Sequence, residues 1–135
     1  MSKTIYLEIF GEPVAQGRPK AFRRGNHIGM YDPKKSSTWK DSVRMQAIAK
    51  KTEMLSGAIY METTFYLTRP KSLPKKVVYH VKKPDVSNLI KAVEDALKGI
   101  CYHDDSQIVR SVITKEYTTI NPGVVIVLKE LEQGG

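Results

Sequence analysis

The chain has 135 residues, 41% hydrophobic and 27% charged, with 22 Lys+Arg against 14 Asp+Glu for a net charge of +8. A single domain of this length buries about two thirds of its unfolded surface, so it needs no disulfide or metal to fold, and the composition excludes a disordered chain. No apolar run approaches the ~20 residues of a bilayer span, the N-terminus lacks a signal-peptide stretch, and the lone Cys101 suits a reducing cytosol. The charge is uneven: residues 1–91 hold 18 Lys+Arg and 7 Asp+Glu, whereas residues 92–135 hold 4 and 7. A basic front half feeding a small acidic cluster is what a metal-dependent enzyme acting on phosphates needs.

Ile5, Leu7 and Ile9 alternate with Thr4, Tyr6 and Glu8 and predict a half-buried first strand, ended by Gly11 and Pro13. Residues 11–25, rich in Gly, Pro and Arg, predict a loop without regular structure, of a length that is uncommon unless functional. A helix is expected from Ser36–Thr38 to Gly57, with Thr38 and Asp41 at capping-box spacing and Trp39, Val43, Ala47 and Met54 as its core stripe. From Ala58 to Leu67 the period changes to two: Ile59, Met61, Thr63, Phe65 and Leu67 share one face. Pro70 and Pro74 then interrupt a basic loop.

The second helix is the best defined, from Pro84-Asp85 to Gly99. Val86, Leu89, Ile90, Val93, Ala96 and Leu97 form its apolar side; Ser87, Asn88, Lys91, Glu94, Asp95 and Lys98 form the polar one. A turn follows at residues 102–105. Gln107–Tyr117 and Val124–Leu131 read as strands, joined as a hairpin through Ile120-Asn121-Pro122-Gly123. The order β-α-β-α-β-β predicts a single α/β (α+β) domain over residues 1–135, with a mixed sheet.

Asp85, Asp95, Asp104 and Asp105 bracket the second helix. That helix is about 20 Å long, so the two ends meet only if the chain folds back alongside it. If so, oxygen donors converge in the arrangement Mg²⁺ or Mn²⁺ prefers. Each residue also has a plain alternative: Asp85 as a helix cap, Asp95 as a surface partner of Lys91, and Asp104-Asp105 as turn residues. Lys91 offers a point charge for a phosphate, or simply a solvated helix face. His27, His80, His103 and Cys101 have no zinc spacing, and no nucleotide-binding glycine loop or serine nucleophile elbow is present. Cys101 reads as a small buried hydrophobe. For DNA the basic loops supply Arg18, Lys20, Arg23 and Arg24, then Arg69, Lys71, Lys75, Lys76, Lys82 and Lys83. Contacts of this kind give salt-dependent, sequence-blind affinity.

The segment Lys83-Pro84-Asp85-Val86-Ser87-Asn88-Leu89-Ile90-Lys91, continuing through Asp95-Ala96-Leu97-Lys98-Gly99 to Asp104-Asp105-Ser106-Gln107-Ile108, closely resembles the RusA family of Holliday junction resolvases. Gly11-Glu12-Pro13 and Gln16-Gly17-Arg18-Pro19 resemble that family's N-terminal loop. The resemblance implies a homodimeric, Mg²⁺-dependent endonuclease that cuts four-way DNA junctions by paired symmetric nicks in recombination and repair. It also implies a prophage-type protein in the bacterial cytoplasm, associated with the nucleoid, with no membrane partner and no small-molecule cofactor. By position, Asp85, Asp105 and Lys91 match the catalytic residues, with Asp85, Asp105 and Asp104 as metal ligands. Ser87, Asn88 and Asp95 are further positions at or behind the metal. Many members carry Asp where this chain has Ser87, which removes one negative charge and a strong ligand. Two alternatives accompany this reading: a non-catalytic junction-binding module, and a nuclease directed at another branched substrate.

Overall fold

A computed structural model of the chain describes residues 3–16, 22–24, 27–29 and 34–134. The elements are β1 (Thr4–Phe10), β2 (Phe22–Arg24), β3 (His27–Gly29), α1 (Lys34–Ala49), β4 (Ile59–Thr68), α2 (Val86–Leu97), a 3₁₀ turn (Asp105–Gln107), β5 (Ile108–Thr118) and β6 (Gly123–Glu130). The main sheet runs β1-β6-β4-β5, with β4 parallel to β5 and the other neighbours antiparallel. This is the expected mixed sheet with two main helices, an α+β arrangement.

Alternation sets the strands. Ile5, Leu7 and Ile9 of β1 and all five residues read for one face of β4 are buried, while their neighbours are exposed or half-buried. Trp39, Val43 and Ala47 of α1 join Leu89, Ile90, Val93, Ala96 and Leu97 of α2 in one core with the inward strand residues. Cys101 is fully buried there, the small hydrophobe that its sequence setting predicts. The Arg44 guanidinium of α1 donates to the Ala96 and Lys98 carbonyls at 2.8 and 3.3 Å, meeting backbone groups that the end of α2 leaves without partners.

Three expectations are corrected. Residues 22–24, inside the segment read as irregular, pair with residues 27–29 just beyond it as a short antiparallel ribbon. Helix α1 starts at Lys34, where Thr38 donates back to the Lys34 carbonyl rather than capping, and stops at Ala49 rather than Gly57. Leu55 explains the early stop: it is fully buried and its N–H donates to the Cys101 carbonyl at 2.8 Å, a tertiary pairing that a continued helix would forbid. Met54 therefore lies beyond the helix, half-buried.

The third correction concerns topology: β5 and β6 are not a hairpin, because β4 lies between them. Helix α2 carries the chain from β4 to a parallel neighbour, β5, and a parallel pair requires such a crossover. The chain then passes over the end of β4 through residues 119–122, and β6 fills the slot between β4 and β1. Gly123 permits this entry, since a Cβ there would collide with the Ile9 carbonyl.

Candidate active site

The turn after α2 returns the chain along the helix. Tyr102, fully buried, donates its hydroxyl to the Glu94 carbonyl at 2.7 Å, and Gly99, with φ +83°, makes the reversal after Lys98. Gln107 fixes the next residues. Its Oε1 accepts from the His103 and Asp104 N–H groups at 2.8 and 3.0 Å, and its Nε2 donates to the Gly57 carbonyl at 3.0 Å. The turn is thus tied to the start of β4, and it delivers Asp105 to the middle of α2.

There the Lys91 ammonium lies 3.4 Å from Asp95 and 3.8 Å from Asp105. Both readings of Asp95 and Lys91 meet at this point: they form the ordinary pair one helical turn apart, and the same lysine reaches the carboxylate after the helix. Glu94, half-buried beside them, has its carboxyl pushed above the usual range by burial and by the negative charge of Asp105, with Lys91 opposing. Sequence reasoning places Glu94 on the polar face without a role; its i+3 spacing from Lys91 is the available signal.

Asp104 takes a different course. Its carboxylate accepts from the Ser106 N–H at 3.1 Å and pairs with Lys98 at 3.0 Å. The Ser106 side chain, then the Lys98 ammonium, hold its pKa down at about 2. This is the turn-residue reading, and it points the carboxylate to Lys98 rather than Lys91. Asp85 stands at the N-cap of α2, exposed, and its side chain makes no capping bond. The position is that of a cap, while the carboxylate is left available. Among the described residues, no three of His, Cys, Asp and Glu gather as a metal-holding group. The donors still fit a hard divalent ion in kind: carboxylates from two separate segments, Asp95 and Asp105, flank one cation.

Ser87 is exposed and Asn88 half-buried in the first turn of α2. The Asn88 carbonyl accepts the Gln16 N–H at 3.0 Å, and Lys40 donates to the Gln16 side chain at 3.3 Å, so the N-terminal loop docks on that turn. Lys115 of β5, a residue that no sequence motif singles out, donates to the Lys82 and Pro84 carbonyls at 2.7 and 2.8 Å. That ammonium fixes the residues immediately before Asp85. The 69–83 loop is held further by the Tyr117 N–H on the Val78 carbonyl and the His80 N–H on the Lys115 carbonyl.

Of the residues read as DNA-binding, Lys71, Lys75, Lys76, Lys82 and Lys83 are exposed on this loop. Arg69 is engaged within it, donating to the Pro74 carbonyl at 2.7 Å and lying 5.4 Å from the centre of the Tyr117 ring. Arg23 and Arg24 are in β2, where the backbone pairing alone is described. Arg18 and Lys20 lie outside the described residues. No helix among the described residues is long and apolar enough to cross a membrane.

Fold and site together define a small α+β protein with acidic groups gathered about a lysine, next to a lysine-bearing loop, a set of groups suited to phosphodiester chemistry. The family model for endodeoxyribonuclease RusA matches residues 11–129. The chain belongs to the RusA endodeoxyribonuclease family, and its class of activity is that of a nuclease. It is also 35% identical to the uncharacterized protein YqaN of Bacillus subtilis (strain 168), over 94% of this chain and 96% of that protein.

Proposed function

We propose that the protein is a homodimeric, Mg²⁺-dependent endonuclease that resolves four-way DNA junctions by paired symmetric cuts. One observation carries the reading within this family: Lys91 lies between Asp95 and Asp105, so a cationic group and carboxylates from two segments share one site. Asp85 and Asp105 would hold the metal, with Asp104 turning from Lys98 to assist. What the ion supplies when bound is neutralisation of phosphate charge and a lowered pKa for its water.

The chain's own groups do the rest. Lys91, half-exposed and shared by two carboxylates, is free to swing its ammonium to the scissile phosphate, where charge builds during cleavage. Asp95 and Asp105 hold that ammonium in place before substrate arrives. Lys71, Lys75, Lys76, Lys82 and Lys83 hold the DNA backbone by charge, which binds phosphate without reading sequence. Two-fold symmetry of a homodimer would match the two-fold symmetry of a junction and pair the nicks.

Cleavage of four-way, flap and linear DNA at one fixed salt concentration, with and without Mg²⁺, tests the reading. The wild type is expected to nick the four-way junction alone, and in the presence of Mg²⁺ alone. Asp105→Asn is expected to reduce that cutting by about 1,000-fold while junction binding holds or tightens, since a negative charge is removed. Preferred cutting of flaps would move the substrate assignment, and undiminished cutting by Asp105→Asn would overturn the site.

A further inference from the structure

Residues 10–16 are clamped to α1 at both ends, and the two clamps differ in charge. At the first, the Gln46 side-chain amide accepts the Phe10 N–H and donates to the Phe10 carbonyl, both at 2.9 Å. At the second, the Lys40 ammonium donates to the Gln16 Oε1 at 3.3 Å, and the Gln16 N–H donates to the Asn88 carbonyl at 3.0 Å. A neutral side chain suffices at the first clamp. The charge of Lys40 therefore exceeds what the second one requires.

Three other lysines near α2 have their charge or their donors met. Lys91 lies between Asp95 and Asp105, Lys98 pairs with Asp104, and Lys115 donates to two backbone carbonyls. Lys40 has one acceptor, a neutral amide oxygen, and among the described residues no carboxylate pairs with it. An ammonium carries three donors, so the Gln16 bond leaves two of them and the whole charge unmatched. Lys40 is half-buried, and its root is fixed because Trp39 and Val43 beside it on α1 are packed into the core. A cation that has lost part of its hydration in this way gains from an arriving anion.

Position selects the anion. Asn88 lies in the first turn of α2, directly after Asp85 at the N-cap, so Gln16 ties the Lys40 ammonium to the end of α2 where that carboxylate stands. Lys115 holds the residues before Asp85 from β5, and Lys40 reaches the following turn from α1. Lys91 lies six residues beyond Asp85, about 9 Å along the helix. A DNA strand whose scissile phosphate sits at Lys91 and Asp105 carries further phosphates to either side. A held ammonium by the first turn of α2 suits one of those neighbours as a point charge.

We infer that Lys40, held by Gln16, binds a backbone phosphate flanking the scissile one and so fixes the register of the cut strand along α2. The site rests on the DNA substrate of the proposed function and lies outside the basic loops.

Binding of a four-way junction in the absence of divalent ions, titrated at several salt concentrations, reads this contact apart from cleavage. Lys40→Gln keeps a side-chain N–H donor toward the Gln16 Oε1 and removes the charge. It is expected to weaken binding by about threefold to tenfold and to lower the log–log salt slope by about 0.9. Lys40→Arg keeps the charge and is expected to bind within about twofold of wild type with the slope unchanged. A neutral methylphosphonate, placed in turn at each phosphate flanking the cut, should weaken the wild type at one position and leave Lys40→Gln unaffected there. Both variants should keep the wild-type urea midpoint. A wild-type salt slope in Lys40→Gln would overturn the inference. So would equal losses of affinity in Lys40→Gln and Lys40→Arg accompanied by lowered urea midpoints, which would make Lys40 a clamp alone. A wild type that binds the junction without cutting it in Mg²⁺ would overturn the proposed reaction and leave this phosphate site standing, whereas one that binds no DNA would overturn both.

Discussion

The turn beside α2 and the 69–83 loop are both densely charged, and the fold treats them in opposite ways. Beside α2 the charges are matched: Lys91 with Asp95 and Asp105, and Lys98 with Asp104. On the loop, Lys71, Lys75, Lys76, Lys82 and Lys83 enter no ion pair among the described residues. Half-exposed pairs like those beside α2 contribute at most about 1 kcal/mol each, so their value is in aiming groups rather than in stability. Unmatched lysines do the reverse. They hold no geometry, and each remains able to displace a counterion from a phosphate. The difference separates a region suited to chemistry from one suited to holding a polyanion.

The sharpest way to break this comparison is to remove the aimed cation. Lys91→Met is expected to lower single-turnover junction cleavage by about 100-fold, while junction affinity changes by less than about threefold. Equal losses in cleavage and affinity would mean that Lys91 behaves like a loop lysine. The two regions are joined by Lys115, whose ammonium holds the Lys82 and Pro84 carbonyls. Lys115→Met leaves both acceptors without that donor and is expected to cost about 1–3 kcal/mol in urea unfolding. Cleavage should fall with it, because Asp85 follows directly on the fixed segment.

A milder change acts on the loop alone. Lys75→Gln with Lys76→Gln is expected to leave stability within about 0.5 kcal/mol of wild type. Junction binding should weaken, and its dependence on salt should flatten by about 0.9 in log–log slope for each phosphate that the variant no longer neutralises. Binding titrations at several salt concentrations measure both effects. An unchanged slope would remove this pair of lysines from the DNA-holding surface.

How far each region is legible in the sequence follows from the same contrast. Residues that act through local period or local backbone are readable: the alternation of β4, the apolar side of α2, Asp85 at its start and Gly99 at its end. The position of Asp105 opposite Lys91 is readable in outline, because the helix length poses the question of whether the chain folds back. Glu94 and Lys115 do not stand out, since each gets its role from a partner on another segment or from burial that only the assembled core creates. The β5–β6 connection misleads for a physical reason. Two alternating strands joined through Asn-Pro-Gly look the same whether they pair or straddle a third strand, and the parallel β4–β5 pair formed through α2 decides the matter.

The smallest expected effect lies away from both regions and serves as their control. Glu130 at the end of β6 accepts from the Ser56 N–H at 2.8 Å and the Lys3 N–H at 3.2 Å, which hold its pKa below the ordinary glutamate value. A carboxylate whose pKa is depressed on folding contributes stability above the unfolded value of 4.5 and loses it as pH falls through the lower folded value. Wild type should therefore exceed Glu130→Gln in stability at neutral pH, and the gap should close as the solution is acidified. Urea midpoints for the two proteins from neutral pH down through the acidic range measure that gap. Junction cleavage at neutral pH should be the same for both, because Glu130 touches neither Lys91 nor the loop. A gap constant with pH would mean that Glu130 acts through packing rather than charge. Reduced cleavage by Glu130→Gln would mean that matched charges anywhere in this fold affect the site, and the division between aimed and unmatched charge would lose its force.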